Sequence, residues 1–179
     1  MKHLIRMLTV AAVFSFLVHT VTAQDTYKYI GVQRCSMCHK GKAKGEVYEI
    51  WKQTKHSTAY TTLLSEQSKE IAKKQGIEGP PEKEAKCLEC HVTGFGEDPV
   101  KFMKSHKIED GITCEACHGA GSAYQKITIM RDKQQFLANG GKVPTEKDCK
   151  VCHNEKSPTY KAFSWAKDYK TIEHHPAKK

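Results

Sequence analysis

One five-residue pattern occurs four times and uses every cysteine in the chain: Cys35-Ser36-Met37-Cys38-His39, Cys87-Leu88-Glu89-Cys90-His91, Cys114-Glu115-Ala116-Cys117-His118 and Cys149-Lys150-Val151-Cys152-His153. Two cysteines three positions apart lie on one side of a helical turn, and the residue after the second projects beneath whatever the pair holds. This is the attachment signature of c-type haem: the thiols form thioethers with the two porphyrin vinyls, and the histidine becomes the proximal iron ligand. Two zinc ribbons would also use eight cysteines in such pairs, but zinc has no need of a histidine after each second cysteine. With ten histidines in 179 residues, four such coincidences have a composition probability on the order of one in 100,000. Eight cysteines in a small exported chain would also make four disulfides, and spacing decides against them. The expectation is four covalent haem c groups, held by Cys35, Cys38, Cys87, Cys90, Cys114, Cys117, Cys149 and Cys152 and ligated by His39, His91, His118 and His153.

The N-terminus reads as a delivery signal. Lys2 and Arg6 precede an apolar run from Met7 to Val18, and Val21-Thr22-Ala23 is a small-residue cleavage site. That is the layout of a secretory signal peptide, and its apolar stretch is shorter than the ~20 residues of a spanning helix. Residues 1–23 are therefore assigned to the signal and 24–179 to one exported or periplasmic tetrahaem domain without a transmembrane anchor. Loss of Lys2 and Arg6 takes Lys+Arg from 29 to 27 against 20 acids, a net +7. The basic residues are dispersed lysines with no Arg-rich stripe or aromatic ladder, which argues against nucleic acid. The eight propionates of four haems would bring the reduced holoprotein near neutrality, to about −1.

Only 8% of the residues are aromatic and 27% are charged, so the hydrocarbon core is thin and the porphyrins are expected to fill the interior. An apo-chain of this size and polarity leaves little to offset chain entropy. The predicted fold class is mainly α: a small irregular helical multihaem cytochrome wrapped around four covalently attached haems, with few or no strands. Helix signals cover residues 46–55, 65–75 with Gly76 as a stop, 122–139 ending at Gly140-Gly141, 145–152 and 164–172. Gly79-Pro80-Pro81 reads as a loop.

Setting aside the four proximal ligands and the two histidines of the signal leaves His56, His106, His174 and His175 for the opposite faces of four irons. His56 closes a segment in which Val47, Ile50 and Trp51 recur at helical spacing. His106 follows Asp98-Pro99, a helix start with Asp as cap and Pro in the first turn, and Phe102 is placed on the same short helix. Adjacent side chains such as His174 and His175 diverge by about 100° on a helix, so one of the two serves a given haem. Three bis-His irons, of low potential, and one five-coordinate iron are expected.

The runs Glu49-Ile50-Trp51 to Lys55-His56-Ser57, Cys90-His91-Val92-Thr93-Gly94, Gly111-Ile112-Thr113-Cys114-Glu115-Ala116-Cys117-His118-Gly119-Ala120-Gly121-Ser122 and the terminal His175-Pro176 resemble the tetrahaem cytochrome c-554 family. The resemblance spans most of the chain after the signal. It implies a helical wrap around closely stacked haem pairs, three bis-His haems, an open iron at His91 and a periplasmic electron carrier. It favours His175 as the terminal ligand, with His174 able to displace it or to cap the fourth iron. The expected function is electron transfer between redox partner proteins, by a monomer or weak oligomer. The alternatives are redox chemistry on a small nitrogen or sulfur species at the open iron, and a subunit of an extracellular conductive assembly.

Overall fold

The computed structural model describes residues 27–175; the signal segment lies outside the described residues. Ten short α-helices follow one another: α1 (Val32–His39), α2 (Val47–Gln53), α3 (Ala59–Thr62), α4 (Glu66–Lys74), α5 (Ala85–His91), α6 (Cys114–His118), α7 (Ile127–Met130), α8 (Lys133–Ala138), α9 (Glu146–Lys150) and α10 (Trp165–Asp168). Single 3-10 turns join several of them, and among the described residues no strand forms. The one sheet-like feature there is a parallel bridge between Tyr29 and Phe102, whose rings stack at 5.1 Å. A mainly helical protein without strands is what composition and motif spacing lead one to expect.

The helices stop where local chemistry stops them. Ser65 caps α4 by accepting from the Ser68 amide at 3.2 Å. At α9 the Asp148 carboxylate accepts from the Thr145 amide at 2.7 Å, completing a capping box. The predicted helix over 122–139 divides instead into α7 and α8. Asp132 lies between them with extended backbone and accepts from the Gln134 and Gln135 amides at 2.8 and 3.0 Å, so a strong cap interrupts what periodicity would continue. The segment after Asp98-Pro99 is a single 3-10 turn over Pro99–Lys101, and Phe102 leaves it in extended conformation to meet Tyr29. His106 therefore stands in a loop rather than on a helix. His56 likewise sits past the end of α2, in the 3-10 turn Lys55–Thr58.

Seven apolar side chains form the buried set among the described residues: Ile30, Val32, Trp51, Leu63, Ala72, Val92 and Tyr124. That is few for a domain of this length, and the interior is organised largely by polar ties between distant segments. Thr93, after the second motif, donates through its hydroxyl to the Gly111 carbonyl at 2.9 Å and accepts from the Thr113 amide at 2.7 Å, binding the exit of one motif to the entrance of the next. Among the described residues no helix is long and apolar enough to cross a membrane.

Candidate functional site

The four pentads occupy α1, α5, α6 and the turn that leaves α9. Their cysteines meet across the fold. Cys35 and Cys114 share a side-chain hydrogen bond that, together with burial, raises the Cys35 thiol above its ordinary range and, against burial, lowers that of Cys114. Burial pushes Cys117 up to about 11, with Cys149 the next contributor. Burial and then Cys90 push Cys152 up to about 12. The first motif thus adjoins the third, the third adjoins the fourth, and the fourth adjoins the second. A pentad order of one, three, four, two emerges that the linear sequence does not show.

Histidines from distant segments meet these motifs. His56 faces His153 with ring centroids 6.0 Å apart and ring planes at 87°. His174 faces His118 at 5.9 Å and 67°. Two imidazoles bound to one metal from opposite sides, with nitrogen–metal bonds of ~2 Å, set their centroids roughly 6 Å apart. His56 is brought there by its backbone: the Ile112 amide donates to the His56 carbonyl at 3.0 Å, and Trp51 Nε1 donates to the Ile112 carbonyl at 2.8 Å. Gly111 permits the approach, because at φ 70 a Cβ there would stand 2.8 Å from the His56 carbonyl oxygen.

Ring nitrogens are arranged for metal binding. His91 Nδ1 lies 2.6 Å from the Ala59 carbonyl, His118 Nδ1 3.0 Å from that of Lys142, and His174 Nδ1 2.8 Å from that of Ile172. A carbonyl only accepts, so each Nδ1 carries the proton and each Nε2 is left with its lone pair, the arrangement that metal-ligating histidines adopt. His106 Nε2 is buried and has no hydrogen-bond partner, a cost of about 1–3 kcal/mol unless something occupies it. Burial holds His39, His56 and His118 below the ordinary imidazole range, which favours the neutral form that metal binding requires. These features fit haem iron.

The remaining predicted ligands divide. His106 abuts the head of α1, where a Cβ on Gly31 would come within 2.9 Å of the His106 Cα. His39 lies within electrostatic reach of His174. His91 faces no second imidazole among the ring contacts of the described residues. His175, favoured by the resemblance, is turned away: its side chain is 77% exposed and its Nε2 lies 3.3 Å from Glu173 Oε1. The structure brings His174 to His118 instead. Sequence reasoning also missed Glu115, which is only 2% exposed. The signal available for it was the Gly119-Ala120-Gly121 run, which lets backbone close over a side chain.

Paired cysteines on short helices, each pair followed by a histidine, are the arrangement of a c-type cytochrome. A family model described as cytochrome c554 and c-prime matches residues 34–119. A curated relative, cytochrome c-554 from Nitrosomonas europaea, is 28% identical over 160 residues, covering 82% of this chain and 66% of the relative. No solved structure matches the chain. Over these residues the chain is similar to the cytochrome c-554 family, a likeness that supports a c-type cytochrome with covalently bound haem c.

Proposed function

We propose that this protein is an exported electron carrier with four haem c groups, one at each pentad, in a single domain that starts after cleavage near Ala23. The observation that carries the reading is the pair of imidazole contacts at 6.0 and 5.9 Å, each joining a pentad histidine to a histidine far away in sequence. His56 with His153 and His174 with His118 are two axial pairs. His106, against the head of α1 and with Nε2 unpartnered, is the third distal ligand and serves the iron of His39. His91 is left as the only axial protein ligand of its iron. The assignment of His174 replaces the His175 that the resemblance favours.

Haem iron, when bound, supplies one-electron exchange at a potential that bis-His ligation keeps low. The protein's part is placement. The cysteine contacts between pentads set the order one, three, four, two, so each cofactor has a near neighbour and an electron entering at either end can leave at the other. Redox partner proteins act as donor and acceptor. The likeness to cytochrome c-554 favours a carrier over an enzyme. Stoichiometric reduction of the exported protein tests the reading. Four electron equivalents per chain, with carbon monoxide bound by one haem in four, are expected. Fewer equivalents, or no carbon monoxide adduct, would refute it.

A further inference from the structure

Glu115 occupies a variable position of the third pentad and is among the most deeply buried side chains of the protein, at 2% exposure. Its carboxylate is held by backbone amides. Oε1 accepts from the amides of Ile30 and Gly121, each at 2.8 Å, and Oε2 accepts from the amide of Gly31, also at 2.8 Å. Gly31 is the N-cap of α1, the helix that bears the first pentad, while Gly121 lies just beyond the third. One carboxylate therefore joins the entrance of one attachment helix to the exit of another. Ser122 adds to the seam, since its hydroxyl accepts from the Lys28 amide at 2.8 Å. The glycine at 121 is needed for this closeness: a Cβ there would stand 2.8 Å from Ile30 Cδ1 and 3.1 Å from Glu115 Oε1. The same two pentads meet through Cys35 and Cys114, and both His39 and His118 lie within electrostatic reach of His174.

A solvated surface carboxylate would be screened and replaceable. A buried one costs several kcal/mol of desolvation unless its oxygens are satisfied, and the three amides meet that cost here at no gain in apolar packing. We propose that Glu115 is a positioning residue that clamps the first attachment motif to the third, and that its fixed negative charge holds down the potentials of the two haems these motifs carry. The inference rests on the four-haem reading. A buried negative charge favours the ferric over the ferrous state, because the oxidised centre carries the extra positive charge. A unit charge acting over roughly 10 Å at an effective dielectric of about 20 changes the ferric-to-ferrous ratio about tenfold, which is about 59 mV for one electron.

The test uses exported holoprotein whose haem content has first been counted. Fewer than four haems in the wild type would overturn the functional reading itself, independently of the role of Glu115. In Glu115→Gln carrying four haems, potentiometric titration is expected to show two of the four midpoints raised by about 59 mV, a tenfold change in ratio. Glu115→Asp, which keeps the charge, should restore them. Four unchanged midpoints in the Gln variant, or an equal shift in the Asp variant, would overturn the proposal. Should the Gln variant fail to mature, amide exchange in the wild type decides. Protection of Ile30, Gly31 and Gly121 to a common degree supports the clamp, and exchange at the rate of open loop amides refutes it.

Discussion

Replacing His174 and His175 one at a time separates two adjacent residues that differ only in where the backbone points them. His174 is half-buried, with its ring 5.9 Å from that of His118 and its Nδ1 proton directed to the Ile172 carbonyl. His175 is one residue further on, about 3.8 Å along the chain, and its side chain is 77% exposed. For His175 to substitute, the terminal segment would have to slide by a full residue, because a nitrogen bound to iron sits at ~2 Å and a misplaced ring gains nothing at about 4 Å or more. If three irons are six-coordinate, His174→Ala removes one low-spin centre in three. The low-spin ferric signal in electron paramagnetic resonance should fall by about one third, with a high-spin signal of matching size. His175→Ala should leave both signals unchanged. A high-spin signal from His175→Ala together with a silent His174→Ala would refute the assignment and restore His175.

Three further outcomes are expected from the same geometry. Trp51→Phe keeps an aromatic ring but removes the 2.8 Å bond to the Ile112 carbonyl, and guanidinium unfolding should show a loss of about 1–3 kcal/mol, whereas an unchanged midpoint would mean that the bond holds nothing in place. Gly111→Ala places a Cβ 2.8 Å from the His56 carbonyl at φ 70, so the low-spin signal of the His56 haem should weaken with a loss of about 1–3 kcal/mol; full retention of both would contradict the close approach. The depressed imidazoles of His39, His56 and His118 make stability depend on pH. The unfolded imidazoles take up protons near pH ~6.5 while the folded ones resist. Stability should therefore be full above that value and be lost as pH falls from about 6.5 toward the lower folded values. A guanidinium unfolding midpoint that stays the same between about pH 7 and pH 5 would contradict this.

How legible the site was depended on the range of the interactions involved. The attachment pattern is local, so Cys35 to His39 and its three counterparts can be read directly as five-letter strings. The capped helices α4 and α9 were legible for the same reason, through Ser65 and through Thr145 with Asp148. The distal pairing was not, because it depends on where loops end in space: His56 reaches His153 through the Gly111 approach and the Trp51 bond, none of which periodicity encodes. Asp98-Pro99 is a sound helix start signal, yet Phe102 leaves that turn to pair with Tyr29, and the bridge outweighs the local preference that would have put His106 on a helix. The break at Asp132 shows the reverse, a local cap overriding a longer apolar pattern. Glu115 had only the neighbouring Gly119-Ala120-Gly121 run as a local signal, because its contacts are with three amides, two of them more than eighty residues away.

The central claim is that each of the four pentads holds a porphyrin through covalent bonds. Intact mass of the natively exported, denatured protein measures this directly. The expected result is a polypeptide beginning near Gln24 plus the mass of four haems, with all colour remaining on the chain after extraction into acidified organic solvent. A bare polypeptide mass, or colour that passes into the solvent, would contradict it.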